Sequence, residues 1–222
     1  MSIDFGGNTI SRVGIVDDKS DVRKIMAISV SEADLTPVVE DGPLPPLEQF
    51  VTSSIKKSDA IICDYKLNLG KYSQFNGAEA VARFYELKQP ALLCTTWGKA
   101  EIDAMRVYRR KIPILVRTDD INPDTIAKGF EYCIREYKND FSPVRKPWRT
   151  LVRIEEVDDQ MFPPMFFVVL PGWYSSDKIR LPIDIIPPEL REKINPGVRF
   201  HAQVNKGTED QDDLYFDNIE IE

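Results

Sequence analysis

Short, nearly unbroken apolar runs alternate with stretches in which apolar residues recur every three or four positions. The runs are 12–17 (RVGIVD), 36–40 (TPVVE), 60–64 (AIICD), 91–96 (ALLCTT) and 112–117 (IPILVR). A strand covered on both faces has no polar side to show, so unbroken runs of this length predict parallel strands. Between them the spacing predicts helices. Val22, Ile25, Met26 and Ser29 follow Ser20, and Leu47, Phe50, Val51 and Ile55 follow Pro45-Pro46. Ala78, Val81, Phe84 and Tyr85 follow Asn76-Gly77, and Ile102, Met105 and Tyr108 make a fourth helix. Ile126, Phe130, Cys133, Ile134 and Tyr137 make a fifth, opened by Asn122-Pro123, a helix-start signal. The series predicts an α/β fold over residues 1–140, a (βα)₅ doubly wound parallel sheet with helices on both faces, because each crossover is right-handed.

Beyond residue 140 the pattern changes. Residues 141–149 bring prolines and basic residues together and read as a linker. Helical spacing then gives way to LVRIEEV, MFFVVL, KIRLPIDII, VRFHAQVN and DLYFDNIEIE, with one or two helical turns in PPELREKINPG. Val198, Phe200, Ala202 and Val204 alternate onto one face of a strand. Residues 150–222 are therefore expected to form a small all-β barrel-like domain, SH3- or OB-like.

Composition narrows the function classes. The net charge of −7 argues against general affinity for nucleic acid or anionic lipid. Residues 142–222 carry ten Lys and Arg against fifteen Asp and Glu, about −5, which makes phosphate-backbone binding by that part unfavourable. The single histidine, His201, stands in an alternating strand and reads as a solvent-side residue, so histidine-based metal sites and triads are not expected. Cys63, Cys94 and Cys133 form no CxxC pair, and they read as reduced, buried thiols of a cytoplasmic protein. No secretory leader is expected from MSIDFGGNTISR, and the longest apolar run is far too short to cross a bilayer.

The informative feature is where the strands end. The first runs into Asp17-Asp18, the third into Asp64, the fourth into Thr95 and the fifth into Arg117. In open parallel sheets ligands bind outside the C-terminal strand ends. Three neighbouring carboxylates repel one another and raise one another's pKa, unless a cation neutralises them. Hard oxygen donors suit Mg²⁺, which keeps several waters and accepts a phosphate oxygen. A carboxylate beside such an ion can attack a phosphoryl donor.

These residues resemble the receiver domain of bacterial two-component response regulators. The likeness is carried by VGIVDD, by IICDY about 46 residues on, by LLCTT about 30 further and by ILVRT, over residues ~11–138. The resemblance implies that Asp64 is the phosphoacceptor, that Asp17 and Asp18 bind Mg²⁺, that the carbonyl of Lys66 is the backbone ligand, and that the Thr95 hydroxyl moves toward the phosphoryl group. It implies a histidine kinase or phosphotransfer protein as partner, no enzymatic turnover, and a homodimer or partner face on helix four, strand five and helix five. Two departures stand out. Where the family has a strand-five Lys this chain has Arg117, a planar fork in place of a point charge. Where it has a switch aromatic this chain has Ile114. The stretch YKLNLGKYSQFNG after Asp64 is longer than usual and is expected to cover the site or to meet a partner.

Two readings stand open: a phosphorylated signalling protein whose β-domain acts through contacts with a protein target, and a phosphorylation-independent adaptor subunit of a larger complex. An OB-like nucleic-acid module has only Trp173 and Tyr174 in its favour, and these read as core or docking residues. The basic cluster RVYRRK at 106–111 reads as a solvated helix end.

Overall fold

The computed structural model describes all residues except 1, 5, 6, 97, 98, 162, 174–177 and 222, and only the backbone of 99 and 100. A two-stranded antiparallel ladder of β1 (Ile3–Asp4) and β2 (Thr9–Ile10), which the apolar pattern is too short to announce, precedes the sheet. The series then runs β3 (Arg12–Val16), α1 (Ser20–Glu32), β4 (Thr36–Val39), α2 (Leu47–Lys57), β5 (Ala60–Asp64), α3 (Gly77–Glu86), β6 (Ala91–Thr95), α4 (Lys99–Met105), β7 (Leu115–Arg117) and α5 (Pro123–Tyr137). The five strands from β3 to β7 pair in parallel in the order β4-β3-β5-β6-β7. Counted within the sheet this is 2-1-3-4-5, the flavodoxin-like order that receivers share, with its switch point between β3 and β5. The sheet predicted from the apolar runs is thus the observed one.

Its details follow from local chemistry. Pro37 sits in β4, an edge strand, where a missing N–H costs no ladder bond. Strand β7 covers only Leu115–Arg117, where 112–117 was expected, because Pro113 cannot donate to the ladder. Helices α3 and α5 begin at Asn76 and Asn122, whose side chains accept the N–H groups of Glu79 and Thr125 at 3.0 Å each. One face of the sheet packs Val13, Ile15, Ile62, Leu92 and Cys94 against Met26, Val30, Ile126, Phe130 and Cys133. Each large side chain so buried stabilises the fold by about 1.5–3 kcal/mol. Of the expected α1 stripe, Met26 and Ser29 are buried and Val22 packs against the core, whereas Ile25 stands 64% exposed and Arg23 and Val30 are buried instead. All three cysteines are buried, and none is in a disulfide.

The chain packs as two units, and they do not follow the boundary read along the sequence. One is Met1–Trp97 with Lys111–Asp140; the other is Gly98–Arg110 with Phe141–Glu222. The second unit holds a curled five-stranded antiparallel sheet, β8 (Trp148–Asp158), β9 (Met165–Val169), β10 (Ile179–Pro182), β11 (Arg199–Val204) and β12 (Phe216–Ile221), in the order β10-β9-β8-β11-β12. It is a half-barrel with β10 and β12 as its edges, since these two form no ladder with each other among the described residues. Val152, Ile154, Phe166, Val168, Phe200, Ala202 and Val204 form its core. The PPELREKINPG stretch is a 3₁₀ helix, Pro188–Lys193. His201 is half-buried and lies opposite Leu151 and Glu220 in the ladder. Trp173 packs against this core and donates its Nε1–H to the Thr208 carbonyl at 2.9 Å, so it is used structurally, while Tyr174 lies outside the described residues.

The basic cluster departs from expectation. Arg106 and Arg109 are 3% and 6% exposed, not a solvated helix end. Arg106 Nη1 donates to the carbonyls of Gln211 and Leu214 at 3.0 and 2.9 Å, and Arg109 Nη2 to Asp213 at 2.9 Å. The stretch expected to be a linker is ordered too: Arg145 is buried and donates to the carbonyls of Arg109 and Arg110.

No helix of the described residues is long and apolar enough to cross a membrane.

Candidate functional site

The parallel register carries the strand ends to one rim. Val16 pairs with Cys63, Asp64 with Cys94, and Thr95 with Arg117. Asp17, Asp64, Thr95 and Arg117 therefore leave neighbouring strands at the C-terminal edge, at the switch point. Asp17 and Thr95 are 2% exposed, Asp18 and Asp64 are half-buried, and Lys66 and Arg117 are exposed.

Each acid caps a backbone N–H. Asp17 Oδ1 accepts from Lys19 at 2.7 Å, Asp64 Oδ2 from Lys66 at 2.9 Å and Asp18 Oδ2 from Leu69 at 2.7 Å. The first two are tight local turns. The third ties the β3–α1 turn to the long loop after β5, which turns sharply at a 3₁₀ stretch, Leu69–Lys71, with Gly70 at a φ of 61°. The two ends of that loop are joined by Gly77, whose N–H bonds the Tyr65 carbonyl at 2.9 Å. A Cβ there would collide with the Asp64 carbonyl.

Electrostatics single out Asp64. Burial pushes its carboxyl up, the charge of Asp17 adds to this and that of Asp18 adds less, so that it titrates at about 7 although the Lys66 N–H and the Lys19 charge oppose the shift. Asp17 is raised as well, by burial first and by the Asp18 charge. Such perturbed, mutually repelling carboxylates at a switch point mark a functional rim.

Among the described residues no three His, Cys, Asp or Glu side chains converge as a ready-made metal cage. Mg²⁺ does not need one. It is held through one or two carboxylates with waters and a phosphate filling the rest. The donors here are hard oxygens, and each capped carboxylate keeps its other oxygen free of the contacts above. The chemistry of the rim thus fits Mg²⁺.

Lys19, Arg23 and Tyr72 are rim residues that pattern reading passed over. Lys19 and Arg23 both act on Asp17 through their charge. The available signal was an arginine in an i, i+3, i+7 stripe shared with Met26 and Val30, five residues after Asp18. Ile114 is half-buried at the foot of β7.

No protein-family model matches the sequence, and no curated protein matches it. Solved structures do. The receiver domain of a Clostridium thermocellum response regulator covers 59% of this chain and 98% of its own, at 10% identity and a TM-score of 0.44. The receiver domain of NarL from Mycobacterium tuberculosis covers 57% and 97%, at 15% and 0.41. Vibrio cholerae chemotaxis protein CheY4 covers 54% and 94%, at 18% and 0.39.

Proposed function

We propose that the chain is a response-regulator-like signalling protein, phosphorylated on Asp64 with Mg²⁺ bound at the rim, whose C-terminal half-barrel relays the change through a protein target. The observation that supports it most is the pairing of Asp17 and Asp64 at the switch point, where like charges and burial strain both carboxylates. A site that destabilises its own carboxylates is one that gains from a divalent cation.

In this reading one or two of the Asp17, Asp18 and Asp64 carboxylates, with the Lys66 carbonyl and waters, would hold the metal. The bound ion would neutralise the acids and spread the charge of the transferring phosphoryl group. A carboxylate oxygen of Asp64 attacks phosphorus, the P–N bond of a phosphohistidine on the kinase or phosphotransfer protein breaks, and the departing imidazole nitrogen takes up a proton. Thr95 and Arg117 are the candidate partners of the new acyl phosphate. Nucleic acid is not the target, given the charge of residues 142–222.

The test is incubation of the whole chain with Mg²⁺ and a small acyl phosphate, followed by intact-mass spectrometry. A phosphate adduct is expected that needs Mg²⁺ and is absent in Asp64→Asn. If no adduct forms and beryllium fluoride leaves the melting temperature unmoved, the phosphorylated reading fails, and the phosphorylation-independent adaptor takes its place.

A further inference from the structure

Three loops meet at the acidic rim, and one buried arginine touches all of them. Arg23 lies on α1 and is 7% exposed. Its Nη1 donates to the Asp17 carbonyl at 2.7 Å, in the β3–α1 turn. Its Nη2 reaches Asp41 at 3.3 Å, in the β4–α2 loop. Its guanidinium carbon lies 5.4 Å from the centre of the Tyr72 ring, in the long loop after β5. Tyr72 is buried and ties the last two loops together: its hydroxyl donates to the Glu40 carbonyl at 2.6 Å, and its own carbonyl accepts from the Leu44 N–H at 2.7 Å.

This arginine is a costly way to fill space. Its Nε is buried without a hydrogen bond, and its one carboxylate partner here, Asp41, has an 84% exposed side chain, so the ion pair itself adds little. An apolar side chain would pack the same helix face more cheaply. What the guanidinium alone supplies is reach, with a carbonyl, a carboxylate and a ring held from one planar fork.

We propose that Arg23 is a positioning residue of the rim: it clamps the turn that carries Asp17 and Asp18 to the long loop that follows Asp64, and so sets the spacing of the carboxylates for a divalent cation. The proposal rests on the reading of the rim as a Mg²⁺-dependent site. Asp18 fastens the same loop from the other side through the Leu69 N–H, so two ties hold it.

The test uses the full chain and three variants, Arg23→Met, Arg23→Lys and Tyr72→Leu, with the Arg23→Met/Tyr72→Leu double variant. Two quantities are measured: the affinity for Mg²⁺ alone, by calorimetric titration, and hydrogen exchange of residues 67–73. Arg23→Met is expected to weaken Mg²⁺ about ten-fold, the scale on which outer partners of metal ligands act, and to speed exchange across the loop. Arg23→Lys restores neither, because one ammonium cannot span three partners. The double variant loses less than the two single losses multiplied, since both residues belong to one clamp. Full recovery with Lys, multiplying effects, or a loop that exchanges as in the wild type would each overturn the proposal. Should Arg23→Met not fold, Tyr72→Leu decides alone, with unchanged Mg²⁺ affinity and exchange counting against the clamp. A wild-type chain that binds no Mg²⁺ removes the metal reading and leaves the clamp to be judged by loop exchange in the variants.

Discussion

Asp64 ends a strand whose preceding four residues are fully buried, and there a charge meets little water and two like neighbours. Its folded-state pKa is therefore raised, to about 7 against an ordinary 3.8. The folded state then holds a proton that the unfolded chain has lost between about pH 4 and 7. Linkage makes the metal-free protein lose stability as pH rises through that window and level off above it. Asp17 pulls in the same direction. Thermal melts in EDTA should show the decline. Asp64→Asn should flatten it and raise stability at pH 7.5 by roughly 1 kcal/mol after allowance for solvent screening, a few degrees in Tm. A wild type that gains stability from pH 5 to 7 would count against the strained pair. At this scale the acids, Thr95 and Arg117 were legible, because each directly follows an apolar run. Arg23 and Tyr72 were not, because their partners are a carbonyl, a ring and a loop that no spacing announces.

Among the elements, α3 shows how tightly the rim is built. Its first residue, Gly77, has no room for a side chain against the Asp64 carbonyl and Cys63 Sγ. Gly77→Ala should therefore cost about 1–3 kcal/mol in urea unfolding. It should also reduce Asp64 adduct formation, because the strand end must shift to make space. An unchanged midpoint would mean that the loop relaxes freely. The helices and strands themselves were readable from periodicity. On α1 one position was not: Val22, Met26 and Ser29 face inward as expected, but Ile25 is exposed and Arg23 is buried. Hydrophobicity favours Ile25 inside, and the Asp17 carbonyl that Arg23 reaches favours Arg23. Strand β7 came out shorter than its apolar run, with Pro113 as the local reason.

Across the whole molecule, the segment that holds α4 belongs with the C-terminal sheet. Residues 98–110 pack with 141–222, Asp103 pairs with Arg180, and Arg110 lies 5.3 Å from the Tyr215 ring. Arg106→Ala leaves the Gln211 and Leu214 carbonyls without this donor. It should cost about 1.5–3 kcal/mol and speed hydrogen exchange over 99–110 and 211–215 together. Exchange confined to 99–110 would show that the two segments do not act as one. The helix-four side expected to be open to a second copy thus has two of its arginines engaged within its own chain.

The run of unbroken apolar segments by itself determined the parallel sheet, its helices and the acidic rim, because a strand buried on both faces admits no polar residue until it ends. The tertiary structure alone decided which arginines are buried and what they hold. A guanidinium leaves water only where carbonyls and carboxylates converge on it, and for Arg106 those lie more than a hundred residues along the chain.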